Sequence, residues 1–385
     1  MATAIQSTMP SVDHKQTDWV AVVCDLGPTF AARAAAHDAN DSFVADNYAE
    51  LKRHKIFSAA VPTEFGGGGA SHAELCALLR ELAHSCGSTA LALSMHTHLL
   101  ATTVWRWRQG HPVEPLLRRV AAEETVLISS GGSDWLESSG TAEKVDGGFR
   151  ITARKIFSSG CPMGDLLMTT AVYADPQEGP TVLHFPVAFA DPRVTIMENW
   201  RTLGMRGTGS HDVVIDGVVV PESAVSLRRP RGKWHPFYTV VAAVALPLVM
   251  SVYVGVAEAA YNLALQQATK KPEDAQTPYL LGELTNALVT AQMALQGMID
   301  TGANYNFALV DQTANAIFIR KTIAARAAIL TVEKAMEVVG GSAFFRSLGL
   351  ERLLRDVQGA LYHPLHEKRQ QLFTGRMALG LDPVG

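Results

Sequence analysis

The chain has 385 residues, which is too long for one ordinary compact core, so two or three packed units are expected. Hydrophobic residues make up 48% and charged residues 18% of the sequence, and this balance excludes an intrinsically disordered chain. The net charge of −4 gives no general electrostatic reason to bind nucleic acid or a membrane surface.

The cysteines and the first residues predict a cytoplasmic location. The 4 cysteines show no CxxC spacing, which argues against a zinc module or a disulfide scaffold and is typical of a reducing compartment. The sequence does not start with a basic segment followed by an apolar run, so no secretory signal is expected.

The first section, residues 1–124, has the periodicity of helices. Ser71 and Glu74 have the spacing of a capping box, which predicts that a helix begins there. The apolar residues that follow fall on one face of that helix: Leu75, Leu78, Leu79 and Leu82. We therefore expect an N-terminal helical domain.

The second section, residues 125–232, has the pattern of strands. Short β-branched or alternating runs are separated by turn residues such as Gly147 and Gly148, and no helix-length pattern lies between them. Parallel strands need long crossover connections, so these runs predict antiparallel strands in a sandwich or barrel.

The third section, residues 233–385, returns to the helical period and predicts an antiparallel four-helix bundle. Its most apolar stretch, residues 238–256, contains Pro247 and favours a buried core helix over a membrane span. Gly340 and Gly341 follow an apolar stripe and predict the end of a helix. The fold class is therefore α+β.

Five motifs within residues 61–380 carry a resemblance to a known family. They are VPTEFGGGG at 61–69, SSGGSD at 129–134, KIFSSG at 155–160, LGMRGTGS at 203–210, and VGG at 339–341 with LRD at 354–356. Each motif alone is typical of an ordinary strand edge or turn, but their order resembles that of the acyl-CoA dehydrogenase superfamily. The resemblance implies a flavin, FAD or FMN, held between the β section and the C-terminal helices of a homotetramer.

By this resemblance, Phe157 takes the place of the aromatic residue beside the flavin ring and Ser159 that of a flavin-bonding threonine. Arg206 becomes a loop contact, while Gly340 and Gly341 contact the flavin of a neighbouring subunit. The remaining residues implied in flavin binding are Ser129, Ser130, Ser133 and Ser158. Hydroxyl and backbone donors are suitable partners for the polar edge of a flavin.

The sequence departs from the family at its catalytic base. An acyl-CoA dehydrogenase removes a proton with a glutamate, which in most members follows the arginine–aspartate motif; that position here is Pro364. A second subset carries the glutamate early in the first long C-terminal helix, where this chain has Ala245 and Leu246. Both family bases are therefore missing.

A branch of two-component flavin monooxygenases has the same fold and carries a histidine after the arginine motif. His363, in LYHP at 361–364, is similar, and His96 or His98 is implied as a second histidine from the N-terminal domain. Structural roles are the alternative for all three: His363 as a cap of helix carbonyls, and His96 and His98 as helix-surface residues. No metal site is expected, because His366 and Glu367 beside His363 lack further ligands.

The sequence therefore predicts a flavin-dependent oxidoreductase, favoured as a monooxygenase that uses reduced flavin and O2 on a small organic substrate. A separate flavin reductase is the implied partner. One alternative is an acyl-CoA dehydrogenase with a displaced base, for which Glu137, Glu198 and Glu333 are candidates. The other is a non-catalytic scaffold of the same fold.

Overall fold

A computed structural model describes residues 17–130, 134–270 and 274–385, and these form helices, then a sheet, then helices. The first region contains α1 (Trp19–Asn40), α2 (Ala45–Arg53), α3 (His72–Ser85), α4 (Gly87–Arg108) and α5 (Glu114–Glu123). The capping box at the start of α3 is confirmed, with Ser71 and Glu74 in their predicted roles. The predicted apolar face of α3 is buried: Leu75, Leu78, Leu79 and Leu82.

The middle region is one eight-stranded sheet. Its strands are β1 (Leu127–Ser129), β2 (Thr141–Val145), β3 (Gly148–Lys155), β4 (Leu166–Asp175), β5 (Gly179–Ala188), β6 (Val194–Ile196), β7 (Val213–Pro221) and β8 (Leu227–Pro230). They run in the order β6-β7-β3-β2-β4-β5-β8, and β1 pairs with β4.

The sheet is mixed, so the expectation of purely antiparallel pairing is corrected. β1 and β2 each pair with β4 in parallel, whereas the other pairings are antiparallel. Parallel pairing needs a long crossover. The β2–β3 hairpin and the segment after it supply the length of this crossover without an α-helix. The absence of a helical pattern in the sequence therefore did not exclude parallel pairing.

The third region contains α6 (Phe237–Ala268), α7 (Thr277–Gly302), α8 (Asp311–Val339), α9 (Leu350–Val357) and α10 (Glu367–Ala378). The three long helices pack on one another, and the short α9 packs against α6 and α8. Gly340 ends α8 as predicted, with a φ of 70°. These elements confirm the predicted three-part architecture.

Helix α6 is the central helix of the fold. It is long and apolar enough to cross a membrane by composition, but 94% of its most apolar window is buried inside the protein. It packs against α3, α4, α7 and α8, so its apolar surface faces other helices. The prediction of a buried core helix is confirmed.

A buried carboxylate ties α6 to two other helices. Glu258 on α6 accepts hydrogen bonds from Arg80 and His84 on α3 and from Gln292 on α7. Although burial alone would raise the pKa of Glu258, the bonds from these three partners lower it to about 2. The network fixes the N-terminal helices against the C-terminal bundle.

Buried histidines should make the fold sensitive to acid. His72 and His96 are each 1% exposed, and burial lowers the pKa of each from 6.5 to about 4. As the pH falls, the two imidazoles are protonated in the unfolded chain before they are protonated in the folded protein. Their contribution to the free energy of unfolding is therefore fully present above pH 6.5 and is lost as the pH drops from 6.5 towards 4. By linkage each histidine contributes up to about 3 kcal/mol to this loss.

We expect the urea midpoint to fall across this pH range, and to fall less steeply when His72→Gln and His96→Gln are combined. The control combines His54→Gln and His111→Gln, whose parent side chains are exposed. If the urea midpoint of the His72→Gln, His96→Gln double variant fell with pH as steeply as that of the parent, this account would be contradicted.

Candidate active site

The segment that follows β3 has an irregular backbone held by the loop before β7. Phe157 has a φ of 57° and Gly160 a φ of 79°, so the chain cannot continue as a strand. The Ser158 amide donates to the His211 carbonyl (3.2 Å) and the Gly160 amide to the Thr208 carbonyl (2.9 Å). This conformation leaves the Phe157 ring 50% exposed, with its centroid 5.8 Å from that of Trp200.

A chain of hydroxyl groups lies beside this aromatic ring. Ser210 donates to Ser159 Oγ (2.7 Å), and Thr208 Oγ1 lies 2.7 Å from Ser210 Oγ. Because Ser159 accepts within the chain, its own hydrogen is left to donate to a ligand. Ser158 Oγ is buried and makes no hydrogen bond with the described residues.

These groups fit a flavin. An exposed aromatic side chain next to a hydroxyl donor and an unpaired buried oxygen gives a ring surface and polar partners together. The residues that would hold the pyrimidine edge are Ser158 and Ser159, and Phe157 would lie beside the ring. Their flavin contacts remain predictions.

The other predicted contacts on the β side are less well defined. Ser129 ends β1 and is half-buried, and Ser130 Oγ lies 2.7 Å from Thr169 Oγ1 on β4. Ser133 lies outside the described residues. Arg206 donates to the carbonyls of Thr202 (2.8 Å) and Asp38 (3.4 Å), so the structure uses its guanidinium to join the loop to the end of α1.

Two buried cations fix the segment that follows residue 133. Lys155 is 0% exposed and donates to Asp134 (2.5 Å) and to the Ser139 carbonyl (2.7 Å). Arg229 is 2% exposed and donates to the carbonyls of Trp135 (2.6 Å) and Leu136 (2.9 Å). These contacts hold one end of the segment that resembles the family's flavin-binding turn.

On the helical side, the His363 side chain makes one hydrogen bond with the residues of the described ranges. Its Nε2 lies 2.7 Å from the hydroxyl of Tyr253 on α6. Lys321 on α8 donates to the carbonyls of His363 (2.8 Å) and Leu365 (3.1 Å). Burial lowers the pKa of His363 to about 3, with further contributions from Lys321 and His98. The imidazole is therefore neutral at neutral pH.

The structure distinguishes the two histidines on α4. Residues two apart on a helix do not share a face. His96 turns towards the β domain: Nδ1 accepts from the Leu127 amide (3.0 Å), and Nε2 is 2.8 Å from the Phe57 carbonyl. Both ring nitrogens of His96 are thus engaged by backbone, which corrects its expected place on the helix surface and favours a structural role.

His98 lies two residues further along α4, so it is on a different face of the helix from His96. Its Nδ1 bonds to the Ser94 carbonyl (3.1 Å), and its Nε2 has no hydrogen-bond partner in the part of the chain that the structure describes. Burial lowers the pKa of His98 to about 4, so this ring is also neutral at neutral pH. Of the two predicted histidines, His98 is the one that contributes to the lowered pKa of His363.

A short series of contacts connects the helical side to the β side. Asp356, in α9, accepts from the Met205 amide at 2.5 Å, and Met205 begins the loop that carries Thr208 and Ser210. A Cβ at Gly204 would lie 2.2 Å from the Arg355 carbonyl, so only glycine allows this approach. The arginine–aspartate motif therefore fixes the hydroxyl-bearing loop against the bundle.

Gly340 and Gly341 lie apart from these groups at the end of α8. Both are exposed, and an added Cβ at either would meet nothing within 4 Å. Their predicted contact with the flavin of a neighbouring subunit remains a prediction.

Family models match both helical regions of the chain. The acyl-CoA dehydrogenase N-terminal domain matches residues 26–124, and the acyl-CoA dehydrogenase C-terminal domain matches residues 248–368. Together these regions cover more than half of the chain. The chain belongs to the acyl-CoA dehydrogenase superfamily.

Several members of the superfamily are similar to this chain over nearly its whole length. An amino sugar nitrososynthase, RubN8 of Streptomyces rubradiris, is 28% identical over 92% of this chain and 88% of its own. An indole-3-acetate monooxygenase of Pseudomonas putida is 26% identical over 93% of this chain and 91% of its own.

A solved structure of KijD3 in complex with FMN and dTDP-3-amino-2,3,6-trideoxy-4-keto-3-methyl-D-glucose superposes with a TM-score of 0.84 and 27% identity. It covers 95% of each chain. The similar proteins also include named dehydrogenases. The comparisons confirm a flavin-dependent enzyme of this fold and favour oxygenation over acyl-CoA dehydrogenation.

Neither base position of the superfamily holds a carboxylate in this chain. At the base position in the first long C-terminal helix, Ala245 and Leu246 are buried apolar residues of α6. At the position after the arginine–aspartate motif, the residue is Pro364. The three glutamates considered as displaced bases are all exposed: Glu137, Glu198 and Glu333. A carboxylate exposed to water is not enclosed with a substrate and is poorly suited to remove a proton from carbon.

The sequence missed the residues that support the predicted ones. Lys155 stands inside a recognised motif, but its partner Asp134 is 21 positions away. Tyr253 lies 110 positions from His363 and within a run of apolar residues, where a tyrosine suggests only packing. Neither pairing leaves a signal in local spacing.

Proposed function

We propose that this chain is a flavin-dependent monooxygenase acting on a small organic substrate. The observation that carries the proposal is that neither base position of the superfamily holds a carboxylate, while the neutral imidazole of His363 stands directly before the position at Pro364. Bound reduced flavin would supply two electrons, so that one atom of O2 enters the substrate and the other leaves as water.

The residues of this chain have separate tasks in the proposal. Phe157, Ser158 and Ser159 bind and orient the flavin ring from the β side. His363 holds a proton near the reacting atoms, because a neutral imidazole can donate one hydrogen bond and accept another. His98 keeps Nε2 available for substrate.

The similar proteins support a choice of cofactor. KijD3 is described in complex with FMN, and SfnC of Pseudomonas putida is named as an FMNH2-dependent monooxygenase. We extend FMN to this chain, with a separate reductase that delivers it reduced, a homotetrameric assembly and a cytoplasmic location. Substrates to try first carry an oxidisable nitrogen, as the amino sugars of the nitrososynthases do.

Titration with flavin and acyl-CoA distinguishes the proposal from dehydrogenation. The protein loaded with oxidised flavin is mixed anaerobically with a set of acyl-CoA esters while the flavin absorbance is followed. We expect no bleaching, because no base is in place to remove the α-proton. Bleaching with formation of an enoyl-CoA would replace this proposal with the dehydrogenase alternative, and failure to bind flavin in either redox state would favour the scaffold.

Ser159→Ala should weaken flavin binding without changing the fold. A hydrogen bond of this kind contributes about 0.5–1.5 kcal/mol, so the Kd should rise roughly 2- to 13-fold. Fluorescence titration measures the Kd, and Ser226→Ala, which removes an exposed hydroxyl near β8, is the control. An unchanged Kd in Ser159→Ala would remove this residue from the flavin site.

A further inference from the structure

Within the described part of the chain, the side chain of Tyr253 has one hydrogen-bond partner, which is His363. The phenol is 0% exposed on α6, and its oxygen lies 2.7 Å from His363 Nε2. Among the residues that the structure describes, the Tyr253 hydroxyl has no other partner. Three other buried tyrosines differ, because their hydroxyls make no hydrogen bond with any residue that the structure describes: Tyr48, Tyr238 and Tyr305.

The fold leaves space for this one contact. A Cβ at residue 359 would lie 2.6 Å from the Tyr253 hydroxyl, so only glycine at that position lets the phenol reach the imidazole. The two rings lie with centroids 5.4 Å apart and planes inclined by 59°, so they are tilted rather than stacked.

The donors and acceptors around Tyr253 indicate that its hydroxyl donates to His363 rather than accepting from it. Burial raises the pKa of Tyr253 well above its ordinary value, so the phenol stays protonated. Its hydrogen has one acceptor within reach, Nε2 of His363. If Nε2 carried the ring proton instead, the phenolic hydrogen would be buried without a partner although an acceptor stands beside it, which costs about 1–3 kcal/mol. Tyr48, Tyr238 and Tyr305 differ, because no acceptor lies within reach of their hydroxyls among the described residues.

The ring is held neutral by its other neighbours. The Lys321 ammonium donates to the carbonyl of His363 itself, and Lys321 and His98 both contribute to lowering the pKa of His363. A second proton on the imidazole would place a positive charge beside a buried cation. The neutral ring therefore has one N–H, and Nδ1 is the nitrogen left to carry it, since Nε2 accepts from the phenol.

We propose that Tyr253 is a positioning residue that fixes His363 as the Nδ1–H tautomer and so turns it into a hydrogen-bond donor towards bound ligand. This proposal rests on the placement of His363 in the active site under the proposed function. Nδ1 of His363 has no partner within the described residues, so its hydrogen is available to an oxygen or nitrogen atom of a ligand.

The tautomer can be observed without turnover. Nitrogen NMR of histidine-labelled protein separates Nδ1–H from Nε2–H rings, and loss of a signal in His363→Ala assigns it. We expect an Nδ1–H ring in the parent and in Tyr305→Phe, which removes a buried hydroxyl that has no partner. In Tyr253→Phe we expect the signal to move towards Nε2–H, the form that free imidazole side chains prefer.

An Nε2–H ring in the parent would overturn the proposal. So would a His363 signal in Tyr253→Phe that is identical to the parent's. If the tautomer behaves as expected but the parent shows no oxygenation of any substrate, the proposed function fails while the role of Tyr253 stands.

A second experiment compares two replacements of the histidine. The amide nitrogen of asparagine takes approximately the place of Nδ1, and that of glutamine the place of Nε2. If Nδ1–H is the donor, His363→Asn should retain at least about 10-fold more turnover than His363→Gln. Equal rates, or a faster glutamine variant, would contradict the assignment. Tyr253→Phe alone should lower turnover by roughly 2- to 13-fold with flavin affinity unchanged.

Discussion

Replacing His363 with alanine should lower the rate of substrate oxidation by roughly 100- to 10,000-fold, the range for loss of a group that transfers a proton. Flavin affinity should change by less than about 2-fold, because the groups that fit the flavin edge, Ser158 and Ser159, lie on the β side and make no contact with the imidazole. Steady-state oxidation and flavin fluorescence titration measure the two quantities.

His366→Ala is the matched control for this variant. His366 is exposed and stands three positions further along the chain, before the first turn of α10. Its replacement should leave both rate and affinity near those of the parent. An equal loss of turnover and flavin affinity in His363→Ala would assign that histidine a structural role.

Replacing Lys155 with methionine should destabilise the protein by about 3–5 kcal/mol, because it leaves the buried carboxylate of Asp134 without its counter-charge. Lys155 is 0% and Asp134 8% exposed, so water cannot replace the lost ammonium. Urea unfolding at fixed protein concentration measures the change. Flavin binding should weaken as well, since Asp134 is the last residue of the flavin-binding segment predicted at residues 129–134.

An exposed lysine provides the comparison. Lys144 pairs with Glu222 across the surface, with side chains 44% and 53% exposed, and Lys144→Met should cost no more than about 1 kcal/mol. Combining Lys155→Met with Asp134→Leu should restore much of the lost stability, because an apolar pair can replace a buried ion pair. If the double variant were no more stable than Lys155→Met, the ion pair would not be the cause.

The order of helices, strands and helices could be predicted because periodicity is a local property. The buried face of α3 and its capping box, the core helix α6 and the end of α8 at Gly340 all followed from spacings of a few residues. The parallel pairings of β4 could not be predicted, because they join strands separated by a complete hairpin.

The candidate site was predictable in its motifs but not in its contacts. The pairs Tyr253–His363 and Asp356–Met205 join residues 110 and 151 positions apart, and no local pattern connects them. The sequence indicates that His96 and His98 cannot both face the bundle, because residues two apart on a helix lie on different faces. It does not indicate which of the two does so. The backbone bonds of His96 settle which face it takes.

The reaction of the protein loaded with reduced FMN and then mixed rapidly with O2 tests oxygenation most directly. We expect a transient absorbance that differs from both reduced and oxidised flavin, followed by the oxidised spectrum, with a shorter lifetime of the transient in His363→Ala. Direct conversion of reduced to oxidised flavin at the rate seen for free flavin, with no transient in parent or variant, would contradict the assignment as a monooxygenase.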